Sequence, residues 1–161
     1  TANNQLTEVQ LNRAEELVFI QSALFGLISA TDLIPSYKVS PIKKIGGVSL
    51  KKLWLEAHRD VWQQFNNQLV IDLRSKAYAE LAPISESIDA YSVEVFFEAP
   101  DGTRTAMNHF NKKAKGQLVR AALLAKTPPK TIADLKKLAK TAGLKLEQEG
   151  QRLTLITFSN N

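Results

Sequence analysis

Two turn signals constrain the fold of this chain more than any other feature. Pro100-Asp101-Gly102 separates Tyr91–Glu98 from Thr103–Met107, and Glu149-Gly150 separates Leu144–Glu147 from Arg152–Thr157. The flanking stretches are apolar and β-branched, so each pair reads as a hairpin. Hairpin strands run antiparallel. A further run, Gln68-Leu69-Val70-Ile71-Asp72-Leu73, reads as a buried strand that follows one helical segment and precedes another. Strands therefore interleave with helices, yet two strand pairs must be antiparallel. That combination predicts an α+β single domain over residues 1–161, a mixed sheet with hairpins flanked by about five helices, rather than a parallel doubly wound sheet.

The helices follow from 3.6-residue periodicity and from their punctuation. Thr7-Glu8 opens a helix expected to reach residue 28, with Leu11, Ala14, Leu17, Val18, Phe25 and Ile28 near helical spacing. Residues 31–47 carry Pro35, Pro41 and Gly46-Gly47 and read as a long ordered connection, in which Leu33, Ile34, Tyr37 and Ile45 call for burial. Ser49 caps a second helix expected to reach Phe65, with Leu50, Leu53, Trp54, Ala57, Val61 and Trp62 inward. Trp54 and Trp62 read as core and His58 as a packing or surface residue. Ser75 opens a short helix through Tyr78 and Leu81. Residues 111–126 form the next, ended by Pro128-Pro129, and Thr131–Ala142 the last, stopped by Gly143.

Composition removes several function classes. The 161 residues hold no Cys and two His, which excludes disulfides, thiolate chemistry and histidine-rich metal sites. No apolar run approaches the ~18 residues of a membrane helix. The opening Thr1-Ala2-Asn3-Asn4 has no basic stretch leading into an apolar core, so it does not read as a signal peptide. It also lacks an initiator Met, which is the expectation for a processed or partial chain.

The net charge of +5 is unevenly spread. Residues 104–140 hold ten Lys or Arg and one acid, Asp134, a net +9; the remainder is −4. Such asymmetry points to an anionic partner. Within it, His109-Phe110-Asn111-Lys112-Lys113-Ala114-Lys115-Gly116 runs from a strand end into a helix. A helix N-terminus offers free N–H groups and partial positive charge to a phosphate or carboxylate. Three lysines there oppose the helix dipole and repel one another, a local rule broken without visible compensation. Helical spacing puts Lys113, Gln117 and Arg120 on one face, and Ala114, Leu118, Ala121 and Ala125 on the apolar face.

A second constellation, Asp72-Leu73-Arg74-Ser75-Lys76-Ala77-Tyr78, follows the apolar strand and opens a helix. Strand C-terminal ends are frequent ligand positions in mixed α/β sheets. Arg74, Ser75 and Tyr78 are therefore candidates for the same cleft, although Ser75 as a cap and Tyr78 as core explain them equally well. Ser75 near a lysine lacks a convincing base and oxyanion site, which leaves a hydrolase weakly supported. Iron binding would need carboxylates such as Asp72 and Glu80.

Three segments in order resemble the YaaA family of bacterial peroxide-stress-response proteins. Leu24-Phe25-Gly26-Leu27-Ile28 with Asp32-Leu33-Ile34-Pro35-Ser36-Tyr37-Lys38 is similar to its Leu-Tyr-Gly-Leu-Leu-Arg-Pro stretch and the Asp, Ile and Tyr-Arg positions after it. Val70 to Tyr78 is similar to its strand followed by Ser and Tyr, and His109 to Gly116, with Leu118 and Arg120, to its Lys-Lys-Ala-Arg-Gly helix. The His-Phe-Asn variant is similar to the actinobacterial branch. Ser29-Ala30 stands where the family has Arg-Pro, and Leu55 follows Trp54 where Gly is common. The resemblance covers roughly the last two-thirds of the family's length and implies a further N-terminal section, absent here, that holds most of a DNA-binding element attributed to the family.

The resemblance implies a cytoplasmic protein that limits oxidative damage and binds DNA. Joined to the basic section, it gives the expectation of phosphate-backbone binding with low sequence specificity through Lys112, Lys113, Lys115 and Arg120, with Asn111 and His109 as further donors. No cofactor, metal site or membrane partner is expected, no catalytic residue is assigned, and a monomer is the expected state. The alternative is a small-anion or nucleotide-binding protein, or an enzyme, using the same basic pocket.

Overall fold

A computed structural model describes residues 5–107 and 111–158. The α+β class and the mixed sheet are as expected, and the described residues contain five α-helices. They fall into two compact units, residues 5–66 with 74–87, and residues 67–73 with 88–158.

In the first unit, helix α1 spans Glu8–Leu17 and starts as expected, through a capping box. The Thr7 side chain accepts from the Gln10 N–H, and the Gln10 side chain accepts from the Thr7 N–H. It does not continue to residue 28. Strands β1 (Phe19–Ser22) and β2 (Gly26–Ser29) form an antiparallel hairpin instead. The Ser22 hydroxyl accepts from the Leu24 and Phe25 N–H groups, an alternative to helical pairing. Gly26 sits at φ +76, outside any helix, and a Cβ there would lie 2.7 Å from the Trp54 ring. The apolar spacing that read as one long helix is thus shared between a helix and a hairpin.

Residues 31–47 also depart from expectation. Around Gly46-Gly47 they fold into a two-residue hairpin, β3 (Lys44–Ile45) with β4 (Val48–Ser49). Tyr37 is half-buried, bonded to Ser22 Oγ at 2.6 Å and set edge-on to Phe25. Leu33, Ile34 and Ile45, expected to be buried, are exposed.

Helix α2 spans Leu50–Ala57, and a separate 3-10 helix spans Val61–Phe65. The Trp54 carbonyl accepts both the His58 N–H and its ring Nδ1, which uses up the acceptor at the point where the α-helix ends. Leu50, Trp62 and Phe65 are buried and Trp54 half-buried, but Leu53 and Ala57, expected inward, are exposed. Helix α3 (Lys76–Leu81) completes the unit. Its core joins Ala23, Leu50 and Leu81, with Val39, Trp54 and Tyr78 against them.

The second unit is built on strand β6 (Ala90–Glu98). Along one edge β6 pairs in parallel with β9 (Arg152–Thr157), which pairs antiparallel with β8 (Lys145–Glu149). The other edge is shared. β5 (Val70–Asp72) runs parallel beside residues 90–92, and β7 (Arg104–Ala106) antiparallel beside residues 96–98. Both expected hairpins are present, with Gly102 and Gly150 at positive φ. Alternation turns Val93, Val95, Leu153 and Leu155 to one face, where Ala114 and Leu118 of α4 (Asn111–Leu124) and Leu135 and Ala139 of α5 (Ile132–Thr141) close the core.

Candidate functional site

The geometry of the shared β6 edge places the start of α4. β5 ends at Asp72, opposite Ser92, while β7 ends at Ala106, opposite Phe96, and the Met107 N–H continues to the Val95 carbonyl. The C-terminal ends of two strands therefore converge, from opposite directions, on residues 93–95. Helix α4 begins at Asn111, four residues after Met107.

On α4 the two expected faces are present. Ala114 and Leu118 are buried, joined by Leu123, with Ala121 and Ala125 half-buried. Lys113, Gln117 and Arg120 are exposed, as is Lys112; Asn111 is half-buried. His109 lies outside the described residues.

Lys115 differs from its neighbours. Its half-buried ammonium donates to the Leu73 carbonyl at 2.9 Å, just past the end of β5. Burial lowers its pKa, opposed by the charges of Asp72 and Glu94. This contact is part of the compensation that the local sequence did not reveal. One of the three lysines is fastened to the sheet, and the other two project outward.

Helix α5 adds exposed Lys136, Lys137 and Lys140 to the layer. The sole acid of the basic section, Asp134, is engaged locally. Its Oδ2 accepts from the N–H groups of Lys130 and Thr131 and from Thr131 Oγ1, in the capping box of α5. Those bonds, the Thr131 side chain first, lower its pKa and keep it ionised in that role.

Arg104, counted with the basic section in the sequence, belongs to the other face of the sheet. Its Nε donates to Glu98 at 2.6 Å, and Nη1 and Nη2 grip Glu147 at 2.7 and 3.0 Å. With Lys145 also bonded to it, Glu147 is held down to about 2. The Glu98 partner is readable from the hairpin, since the two residues face each other across its turn; the Glu147 partner is 43 residues away.

Arg74, Ser75 and Tyr78 belong to the first unit. Arg74 donates to the Ala82 carbonyl at 2.8 Å and to Gln21 Oε1 at 3.4 Å, with its guanidinium 5.5 Å from the Trp62 ring centre. Gln21, missed by sequence reasoning, is buried and also reaches His58 Nε2 at 3.5 Å. A carbonyl can only accept, so His58 Nδ1 carries the proton toward Trp54 and Nε2 accepts from Gln21. Burial, and then the Arg74 charge, lower the His58 pKa against the Trp54 bond. Ser75 is the N-cap of α3 and makes no side-chain cap bond; Tyr78 packs on the unit's core. Among the described residues, no group of three or more His, Asp or Glu could hold a metal ion, and no helix is long and apolar enough to cross a membrane.

A family model described as peroxide stress protein YaaA matches residues 2–150. A UPF0246 protein of Corynebacterium glutamicum is 38% identical over 155 residues, 91% of this chain and 60% of the relative. One from Streptomyces coelicolor is 34% identical over 140 residues, 85% and 53%. One from Francisella philomiragia is 28% identical over 161 residues, 96% and 62%. The chain thus spans about 60% of the length of such relatives.

Proposed function

The chain belongs to the family of peroxide stress protein YaaA, and from that premise we propose that it acts in the cytoplasm to limit oxidative damage by binding the phosphate backbone of DNA. The contact surface is the outward side of α4 and α5. Lys112, Lys113 and Arg120 supply the charge from one helix, and Lys136, Lys137 and Lys140 from the other. One observation carries the reading: the single acid of this +9 section is held in its own helix cap, while Lys112, Lys113, Arg120, Lys136, Lys137 and Lys140 are all exposed. Cations spread over two adjoining helices suit a repeating polyanion, which they would position without reading its sequence. Asn111 and His109 are further donors in this reading, while Lys115 acts from beneath by holding α4 to β5.

A salt titration tests it. Duplex affinity should fall by about 0.9 log units per log unit of salt for each phosphate neutralised. Replacing Lys113 and Arg120 together by Gln should weaken binding and flatten that slope, with the melting temperature unchanged. Salt-independent binding, or a double variant that binds DNA as well as the parent, would sink the proposal.

A second reading places a small anion or a nucleotide at the start of α4, beside which the ends of β5 and β7 meet; the carboxylates of Asp72 and Glu94 near Lys115 oppose it. In that case binding would be nearly insensitive to moderate salt and would be lost in Lys115→Met, not in the Lys113 and Arg120 variant.

A further inference from the structure

Large apolar side chains are exposed on one unit far more than on the other. Of the fifteen that are exposed among the described residues, thirteen lie in the first unit, although the two units are nearly equal in length. The densest stretch is residues 33–55, with Leu33, Ile34, Ile42, Ile45, Val48 and Leu53 all open to water. Leu33 is 101% exposed and Ile42 86%, as open as in an extended peptide. Exposed apolar residues are ordinary when scattered singly; a concentration of them marks a surface made to be covered.

The stretch is anchored rather than loose. Tyr37 is bonded to Ser22 and packed on Phe25, and Val39 sits against the core of Ala23, Leu50 and Leu81. Ile45 and Val48 are directly paired across the β3–β4 turn. With Tyr37 and Val39 turned inward, the remaining apolar side chains are held outward, and burial of them needs a partner from outside the unit's own core.

The relatives supply the size of such a partner. The C. glutamicum relative is matched over 155 residues that make up 60% of its length, so roughly 100 residues of it have no counterpart in this chain. A section of that size is as large as a small domain, enough to cover an apolar face already built. We propose that the surface of residues 33–55 is the seat of this additional section of the family chain. The proposal is independent of the DNA reading, which concerns α4 and α5.

The test mixes the 161-residue chain with the unmatched section of the C. glutamicum relative, made separately and fluorescently labelled. A one-to-one complex is expected, with hydrogen-exchange protection gained across residues 33–55. Leu33→Asp with Ile42→Asp should weaken it at least tenfold without changing the melting temperature of the free chain, because both side chains are in water there. Phe158→Ser, an exposed position in the second unit, should leave it unchanged. A fusion of the section to this chain gives the same protection readout if the free section does not fold. The proposal is overturned if the section binds the double Asp variant as well as the parent, or if residues 33–55 stay unprotected in the fusion. It is equally overturned if the free chain is a dimer that the double variant dissociates, since a second copy would then be the occupant.

Discussion

Lys115 Nζ donates to the carbonyl of Leu73 across 2.9 Å, joining the second turn of α4 to the end of β5 over 42 residues of sequence. The bond divides the three lysines of the helix start into two kinds. Lys112 and Lys113 are exposed charges, of the sort that contribute little to stability. Lys115 is part of the scaffold that orients them, with Asp72 and Glu94 supporting its charge against burial.

Lys115→Met should therefore separate the roles by pH. Burial lowers the folded-state pKa, so below that value the buried ammonium carries its full cost, and stability rises as pH climbs from it toward the unfolded value of ~10.4. Met keeps most of the stem and removes the titration. Urea midpoints at pH 7 and pH 10 should show the parent gaining on the variant at the higher pH. A difference that does not change with pH would mean that Lys115 is solvated like its neighbours.

Leu118 lies on the opposite face of the same helix, 2% exposed in the core with Val93, Val95 and Leu155. Leu118→Ala should cost about 2–5 kcal/mol through the cavity left behind. Thermal melts report the loss, and under the proposed DNA-binding function the affinity below the new melting temperature should be unaltered.

Gly26 stands at φ +76, where any other L-residue is strained, and its missing Cβ leaves room for Trp54. Gly26→Ala combines about 1–2 kcal/mol of backbone cost with overpacking of about 1–3 kcal/mol. Loss of the near-ultraviolet tryptophan signal at lower urea is the expected result. A neutral substitution would place Trp54 elsewhere.

His58 makes the first unit acid-sensitive. Its folded pKa is lowered, so its stabilising contribution is complete above the unfolded value of ~6.5 and is lost as pH falls below that toward the folded value. A protonated Nε2 could no longer accept from Gln21, whose Oε1 in turn receives Arg74. His58→Gln should lower stability at pH 7.5 but flatten its decline between pH 7 and pH 5, measured as the urea midpoint. An equally steep decline in the variant would assign the acid sensitivity to other groups.

The parts of this protein legible in its sequence are those written in neighbouring residues. Thr7 and Thr131 cap the helices that they open, and Gly102, Gly143 and Gly150 take the positive φ that their turns require. The two faces of α4 follow from spacing alone. These features depend on hydrogen bonds and backbone angles within a few residues, so local chemistry suffices to specify them. Where local signals competed, tertiary structure decided. Leu17, Phe25 and Ile28 fit a helical period, but the Ser22 turn and the approach of Trp54 to Gly26 made a hairpin of their segment. The same holds for the site residues. That Arg104 is neutralised by Glu147, that Gln21 links His58 to Arg74, and that Lys115 is tied to Leu73 all depend on partners 37 to 53 residues apart. A charge in a sequence has no fixed partner. Only the register of β6 with β5, β7 and β9, and the packing of helices on that sheet, bring a carbonyl or carboxylate within 3 Å of Lys115 and Arg104.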